Sequence, residues 1–99
     1  MPEYRLSKAA EKDLMSIAQY GDEHFGYEQS DLYRDKLAKR FSIIAETPLH
    51  YPAVDHVRTG YRRSVCGVHS IYFRIEERGV EIMRIIGRQN LSAAFINGN

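Results

Sequence analysis

The N-terminal half of the chain carries apolar residues at steps of three and four positions, the spacing of helices that bury one face. Ser7 is a good N-cap for the first helix, and Gly26 suits the left-handed backbone position that closes it. The second helix runs from about Glu28 to Glu46 and stops at Thr47-Pro48. The apolar stripes are Ala10, Leu14, Ile17, Ala18, Gly21 and Phe25 in the first helix, and Tyr33, Leu37, Phe41 and Ile44 in the second. We predict an antiparallel helical hairpin whose stripes, aromatic residues included, lie in the core.

The pattern of the remaining segments predicts strands and one connecting loop. "EYRLS" predicts a short strand before the first helix, and residues 48–60 lack periodicity, as expected of a connecting loop. "YRRSVC", "VHSIYFRIE" and "VEIMRIIG" then alternate and are separated by turns at Gly67 and Gly79, which predicts two consecutive β-hairpins. The expected fold class is α+β with the order β-α-α-β-β-β, in which the helical hairpin packs on a small, mainly antiparallel sheet. At 99 residues the chain is long enough for one hydrophobic core, so we expect a single domain over residues 1–99.

Alternation within the strands predicts an exposed apolar surface. In the middle strand Ile71, Phe73 and Ile75 share one face, assigned to the core, and Ser70, Tyr72 and Arg74 share the other. The last strand is apolar on both faces. The outer face of the sheet is therefore expected to expose Tyr72, Arg74, Ile82, Arg84 and Ile86. A face this apolar is typical of a surface that binds another macromolecule.

Charge is distributed unevenly along the chain. Residues 1–47 hold seven Lys or Arg against nine Asp or Glu, whereas residues 57–90 hold seven Arg against three Glu. Guanidinium groups suit bidentate pairing with carboxylates or phosphates, so an acidic protein or a nucleic acid is the expected partner. The arginines of the second half are Arg58, Arg62, Arg63, Arg74, Arg78, Arg84 and Arg88.

The pattern gives little support for catalysis, a metal or a cofactor. Cys66 is the single cysteine, no Cys/His spacing suggests zinc, and no glycine-rich phosphate loop precedes a helix. His69 stands in a strand without a recognisable nucleophile arrangement, so strand packing is favoured over acid–base work. Metal-independent RNA cleavage by Arg74, Arg84, Tyr72 and His69 stays an alternative. No signal peptide or membrane-spanning run is found, so we expect a cytoplasmic protein without membrane contact.

Two long stretches resemble the ParE toxins of the RelE/ParE superfamily. "YRLSKAAEKDLMSIAQYGDEHFG" is similar to the opening pattern of that family, through Ser7, Ala10, Asp13, Leu14, Ile17, Tyr20 and Gly26. "RTGYRRSVCGVHSIYFRIEERGVEIMRIIGRQN" is similar to its second half, through Arg58, Gly60, Arg63, Ser64, Gly67, His69, Ile71, Phe73, Arg74, Ile82, Arg84, Arg88 and Gln89. The resemblance covers about residues 4–90, and its strength lies in the order and spacing of the motifs.

The resemblance implies a RelE/ParE-like fold and the toxin of a type II toxin–antitoxin module. Such toxins are held inactive by a ParD-like antitoxin with a disordered, acidic C-terminal region, and the complex reaches operator DNA through the antitoxin. Free ParE toxins inhibit DNA gyrase and block replication, without a cofactor. RelE relatives instead cut mRNA on the ribosome, and this sequence lacks the terminal aromatic or His residues of those nucleases. A ribosome-dependent nuclease and a non-toxic, antitoxin-binding relic stay as alternatives.

The strand pattern, the charge distribution and the family resemblance lead to one hypothesis for the site. The arginine-bearing sheet face would receive the partner, either antitoxin or gyrase, and the chain would act by binding and not by catalysis. The predicted partner-binding residues are Arg58, Arg62, Arg63, Tyr72, Arg74, Ile82, Arg84 and Arg88.

Overall fold

Two helices pack on one face of a four-stranded sheet in the computed structural model, which describes residues 3–87 of the chain. In chain order the elements are β1 (Glu3–Leu6), α1 (Lys8–Phe25), α2 (Tyr27–Glu46), a 3-10 turn (Pro48–His50), β2 (Tyr61–Cys66), β3 (His69–Glu76) and β4 (Gly79–Gly87). The strands lie in the order β1-β4-β3-β2, with β1 parallel to β4 and the other pairs antiparallel. This confirms the predicted α+β class and element order.

The helical hairpin turns at Gly26, whose φ of 84° lies in the left-handed region that favours glycine. The helices approach closely where Gly21 faces Ser30, because a Cβ on Gly21 would lie 2.7 Å from the Ser30 hydroxyl oxygen. That hydroxyl donates to the carbonyl of Ala18 at 3.3 Å. Small residues at the crossing therefore bring the two backbones together and tie them.

The core lies between the two helices and the inner face of the sheet, and α1 contributes Ala10, Leu14 and Ile17. Leu37, Phe41 and Ile44 of the predicted α2 stripe are buried there, and Tyr33 packs against the same cluster. The sheet contributes Cys66, Ile71, Phe73, Val80, Ile82 and Ile85. Two core assignments are wrong: Phe25 is 64% exposed and Ile75 is 46% exposed. Phe25 is the last residue of its helix and Ile75 lies near the end of its strand, where the opposing layer no longer covers them.

An irregularity in β4 overturns the predicted face of Ile82. Tyr72 pairs with Arg84 but Phe73 pairs with Ile82, so Met83 is an extra residue opposite two consecutive residues of β3. Such a β-bulge interrupts the alternation of side chains. Consequently Ile82 and Ile85 both reach the core, and the prediction that Ile82 lies on the exposed face is wrong.

The N-terminus of α1 closes the edge of β4 beyond the point where β1 ends. β1 pairs with residues 79–82 only. Past them, the Ser7 hydroxyl donates to the Met83 carbonyl at 2.8 Å while it also accepts from the Ala10 N–H as the helix N-cap. The Asp13 carboxylate accepts from the Ile85 N–H at 2.9 Å. Helix side chains thus satisfy backbone groups that a neighbouring strand would otherwise pair.

Candidate partner-binding site

The predicted surface lies on the outer face of the sheet, and the loop before β2 covers part of it. Tyr72 is fully buried there, in a second apolar cluster with Val54 and Ile86. The loop is held by backbone bonds from Val54 N–H to the Tyr61 carbonyl at 2.8 Å and from Arg63 N–H to the Pro52 carbonyl at 3.1 Å. The prediction that Tyr72 and Ile86 are exposed is therefore wrong, because residues 51–60 fold back over them.

Arg84 is engaged inside the fold. Its Nε and Nη2 donate to the two carboxylate oxygens of Asp13 at 2.8 and 3.0 Å, and each side chain is only 15% exposed. These hydrogen bonds raise the pKa of the Arg84 guanidinium. The ion pair joins α1 to β4 at the bulge. The guanidinium of Arg84 is therefore used in stabilising the fold, and little of it is left to bind a partner.

Arg74 lies in a row of charges across three strands. Arg5, Glu81 and Arg74 occupy paired positions on β1, β4 and β3. Arg74 donates to one oxygen of the buried Glu81 carboxylate at 2.7 and 3.0 Å, and Arg5 lies 3.2 Å from the other. Arg5 also donates to both oxygens of the Glu76 carboxylate at 2.6 and 2.9 Å, so two arginines face two carboxylates. The half-exposed Arg74 therefore presents less uncompensated charge than its residue type suggests.

The other predicted arginines differ in availability. Arg62 donates to the Tyr51 carbonyl at 2.6 Å and fastens the loop. Within residues 3–87, the side chains of Arg58 and Arg63 make no hydrogen bond or ion pair, although Nε of Arg58 is buried. Arg63 pairs in register with Tyr72, which in turn pairs with Arg84. Arg88 lies outside the described residues.

A large groove opens between the helices and the end of β4, a feature that the sequence pattern did not indicate. Its volume is about 1020 Å³. α1 supplies Tyr20 and Phe25, and the β2–β3 turn supplies Val68; all three are exposed although apolar or aromatic. Further lining comes from Asp13, Ile17, Gln29, Tyr33, His69, Arg84, Ile85, Ile86 and Gly87. We call this feature the groove.

No sequence signal located the groove. α1 packs along β4, whose nine residues span about 30 Å, and the 18 residues of α1 are about 27 Å long, so the lengths of the elements predict no overhang. By residue type alone, Tyr20 and Phe25 are equally suited to the core.

Tyr33 and His69 form a hydrogen-bonded pair at one wall of the groove. The Tyr33 hydroxyl lies 2.7 Å from His69 Nδ1, and it also contacts the Cys66 carbonyl at 3.2 Å and the Val68 N–H at 3.3 Å. Burial lowers the pKa of the His69 imidazole, against a smaller opposing influence of Asp13. Burial also raises the pKa of Tyr33, so its hydroxyl stays protonated near neutral pH.

The lowered pKa of His69 makes stability depend on pH. In the unfolded chain a histidine has a pKa of about 6.5, so on acidification the unfolded state binds this proton before the folded state does. The contribution of His69 is therefore fully present above about pH 6.5 and is lost as the pH falls through its lowered folded pKa. We expect the free energy of unfolding, from urea titrations, to fall between pH 7 and pH 5 less steeply in His69→Asn than in the wild type. If the free energy of unfolding fell equally steeply with pH in both proteins, another titrating group would be responsible for the fall.

Between residues 3 and 87, no helix is long and apolar enough to cross a membrane. Over the same range, no group of three or more His, Cys, Asp or Glu side chains is arranged to hold a metal ion.

Comparison with known proteins gives the family. The profile described as "ParE toxin of type II toxin-antitoxin system, parDE" matches residues 4–91. The chain belongs to the ParE toxin family. It is 37% identical over 93 residues to the Toxin ParE1 of Caulobacter vibrioides, covering 94% of this chain and 95% of that protein. It is 29% identical over 84 residues to the Toxin ParE1 of Mycobacterium tuberculosis, covering 84% and 86%.

A solved structure supports the fold independently of close sequence similarity. A chain of the structure named "Chromosomal ParDE TA system from P. aeruginosa" superposes with a TM-score of 0.76 at 17% identity, covering 88% of this chain and 96% of that one. The resemblance to ParE toxins noted in the sequence is therefore confirmed. In this member of the ParE toxin family, the opening motif has clear structural roles: Ser7 caps α1, Ala10 is fully buried, and Asp13 holds β4 and Arg84.

Proposed function

We propose that this chain is a toxin held inactive by a ParD-like antitoxin and directed, when free, against DNA gyrase in the cytoplasm. The observation that carries the proposal is the groove, whose exposed Tyr20, Phe25 and Val68 leave an apolar surface open on a member of the ParE toxin family. Open apolar grooves of this kind receive an amphipathic helix in many complexes. The ParDE structure that shares this fold carries a ParD partner in its name, which supports the same kind of partner here.

The chemistry of the groove and its surroundings favours an apolar and acidic occupant. Asp13 and Arg84 neutralise each other at its inner end, so apolar side chains would face little uncompensated charge. Tyr72 and the loop that covers it lie between Arg84 and Arg63, so Arg63 on β2 and Arg58 on the preceding loop lie outside the groove. Within residues 3–87 neither arginine has a carboxylate partner. Acidic residues of an antitoxin that continue beyond the groove would suit both.

Inhibition of gyrase by binding is favoured over catalysis. The cationic groups that would stabilise a phosphate transition state, Arg74 and Arg84, are each paired with a carboxylate of this chain. A nuclease site needs such groups to face the substrate. Contact with operator DNA is proposed only through the antitoxin.

Expression of the chain alone in a bacterium tests this proposal, with plasmid topology and mRNA integrity measured in the same culture. Altered supercoiling with intact mRNA supports gyrase as the target, and purified gyrase inhibited by the purified chain would establish a direct action. Fragmented mRNA with normal topology would replace the proposal with a ribosome-dependent nuclease. No effect on either, together with antitoxin binding, would indicate a non-toxic relic.

Antitoxin affinity tests the groove itself. Replacing Phe25, which is 64% exposed on the groove, with Ser should weaken antitoxin binding about tenfold, because an aromatic anchor contributes on the order of 1.5 kcal/mol by apolar burial. Tyr27→Ser is the matched control: this aromatic residue is 76% exposed, lies two positions away, and does not line the groove. Equal affinities of the two variants in titration calorimetry would place the antitoxin elsewhere.

A further inference from the structure

The Tyr33 hydroxyl of α2 fastens the β2–β3 turn, which forms one wall of the groove. Arg40 of the same helix holds the residues before the turn, because it donates to the Ser64 hydroxyl and the Val65 carbonyl at 2.8 Å. The Tyr33 hydroxyl contacts a backbone group of Cys66 on one side of the turn, the N–H of Val68 within it, and Nδ1 of His69 on the other side. Val68 itself is 68% exposed and lines the groove. The position of Val68 in the wall therefore depends on the contact between the turn and the Tyr33 hydroxyl.

The turn is shaped to admit this contact. Gly67 has a φ of 60°, and a Cβ at this position would lie 2.7 Å from the Tyr33 hydroxyl oxygen and 2.8 Å from the ring. A Cβ atom cannot lie this close to Tyr33, so the position has room only for the hydrogen of a glycine. Tyr33 thus sits directly against the backbone of the turn, and glycine is the residue that permits it.

We propose that Tyr33 is a positioning residue for the partner: its hydroxyl holds the β2–β3 turn where Val68 forms the wall of the groove. The inference rests on the proposed function, because it concerns the same groove and the same antitoxin. It adds a residue that supports the binding surface from below.

The Tyr33 hydroxyl holds the turn in either tautomer of His69. It donates its one proton to Nδ1 or to the Cys66 carbonyl, and its oxygen accepts from the Val68 N–H in both cases. Removal of the hydroxyl therefore leaves the Val68 N–H without this acceptor.

Antitoxin dissociation, followed by stopped flow on the full chain and its co-expressed ParD-like antitoxin, tests the inference. Tyr33→Phe keeps the ring and removes the hydroxyl; we expect dissociation to speed up about fivefold to tenfold at pH 7.5, the effect of one or two lost hydrogen bonds. Val68→Ser removes the exposed apolar side chain of the wall itself and should speed up dissociation to a similar extent.

Tyr27→Phe, which removes an exposed hydroxyl outside the groove, is the control for Tyr33→Phe. Hydrogen exchange of the Val68 amide in the free chain gives a second readout, and it should speed up in Tyr33→Phe. If Tyr33→Phe folds poorly, the comparison of wild type with Val68→Ser decides the question.

Two results would overturn the inference. One is a Tyr33→Phe complex that dissociates at the wild-type rate, and the other is a Val68→Ser complex that does so. A wild-type chain that binds no antitoxin at pH 7.5 would instead overturn the proposed function. The two failures are therefore distinguishable in one series of measurements.

Discussion

Replacement of Asp13 with Ala is expected to lower the free energy of unfolding by about 3 kcal/mol, the lower end of the range for breaking a largely buried ion pair. The carboxylate makes three hydrogen bonds, two from Arg84 and one from the Ile85 N–H. Its removal leaves a guanidinium that is 15% exposed without its anion and a backbone donor without an acceptor. Neither group can recover full hydration while the chain stays folded, so the cost is larger than the loss of one favourable contact.

Urea unfolding at pH 7 measures this loss of stability. Two further variants show how much of it comes from burial of the pair and how much from the charge of Asp13. Asp31→Ala removes the partner of Arg34 in a pair whose side chains are 61% and 40% exposed, and should cost less than about 1 kcal/mol. Asp13→Asn can still accept from the Ile85 N–H but lacks the charge, so its stability should fall between that of Asp13→Ala and the wild type. If Asp13→Ala were no more costly than Asp31→Ala, the junction between α1 and β4 would not depend on this carboxylate.

The Asp13–Arg84 pair also illustrates what the sequence could not reveal. The two residues are 71 positions apart, and each was recognised in a motif, but a one-dimensional pattern does not say that they meet. Arg84 was accordingly expected at the exposed partner surface. The element order, by contrast, follows from short-range signals: the N-cap at Ser7, the apolar stripe through Leu37, Phe41 and Ile44, and the turns at Gly67 and Gly79.

The assignment of faces failed at β4, for a physical reason. A strand that is apolar on both faces can place either set of alternate residues in the core. The alternation of Val80, Ile82 and Arg84 therefore could not show that Met83 is an extra residue. Burial of Tyr72 was missed because it depends on the path of residues 51–60, which have no periodicity. The groove was missed because concavity results from where helix and sheet end relative to one another, and not from the identity of any residue.

Replacement of Gly79 with Ala is expected to cost more than about 3 kcal/mol, beyond the usual range for an overpacked core position. An added Cβ would overlap the carbonyl oxygen of Glu3 and lie 2.7 Å from its nitrogen. Both are backbone atoms of β1, so no side-chain rotation can relieve the overlap and the strand itself must move. The expected result is displacement of β1, with loss of the bond from the Glu3 N–H to the Arg78 carbonyl.

Gly60→Ala provides the matched control. Gly60 has a φ of 84° and open space around its Cβ position, so the substitution adds backbone strain alone, about 1–2 kcal/mol. Urea unfolding compares the two variants, and hydrogen exchange of the Arg5 amide, which lies in the strand paired with β4, reports whether β1 has separated. Equal costs, or an Arg5 amide that stays protected in Gly79→Ala, would contradict the expectation. β1 has only four residues and pairs along one edge, so a single close approach at Gly79 decides whether it joins the sheet at all.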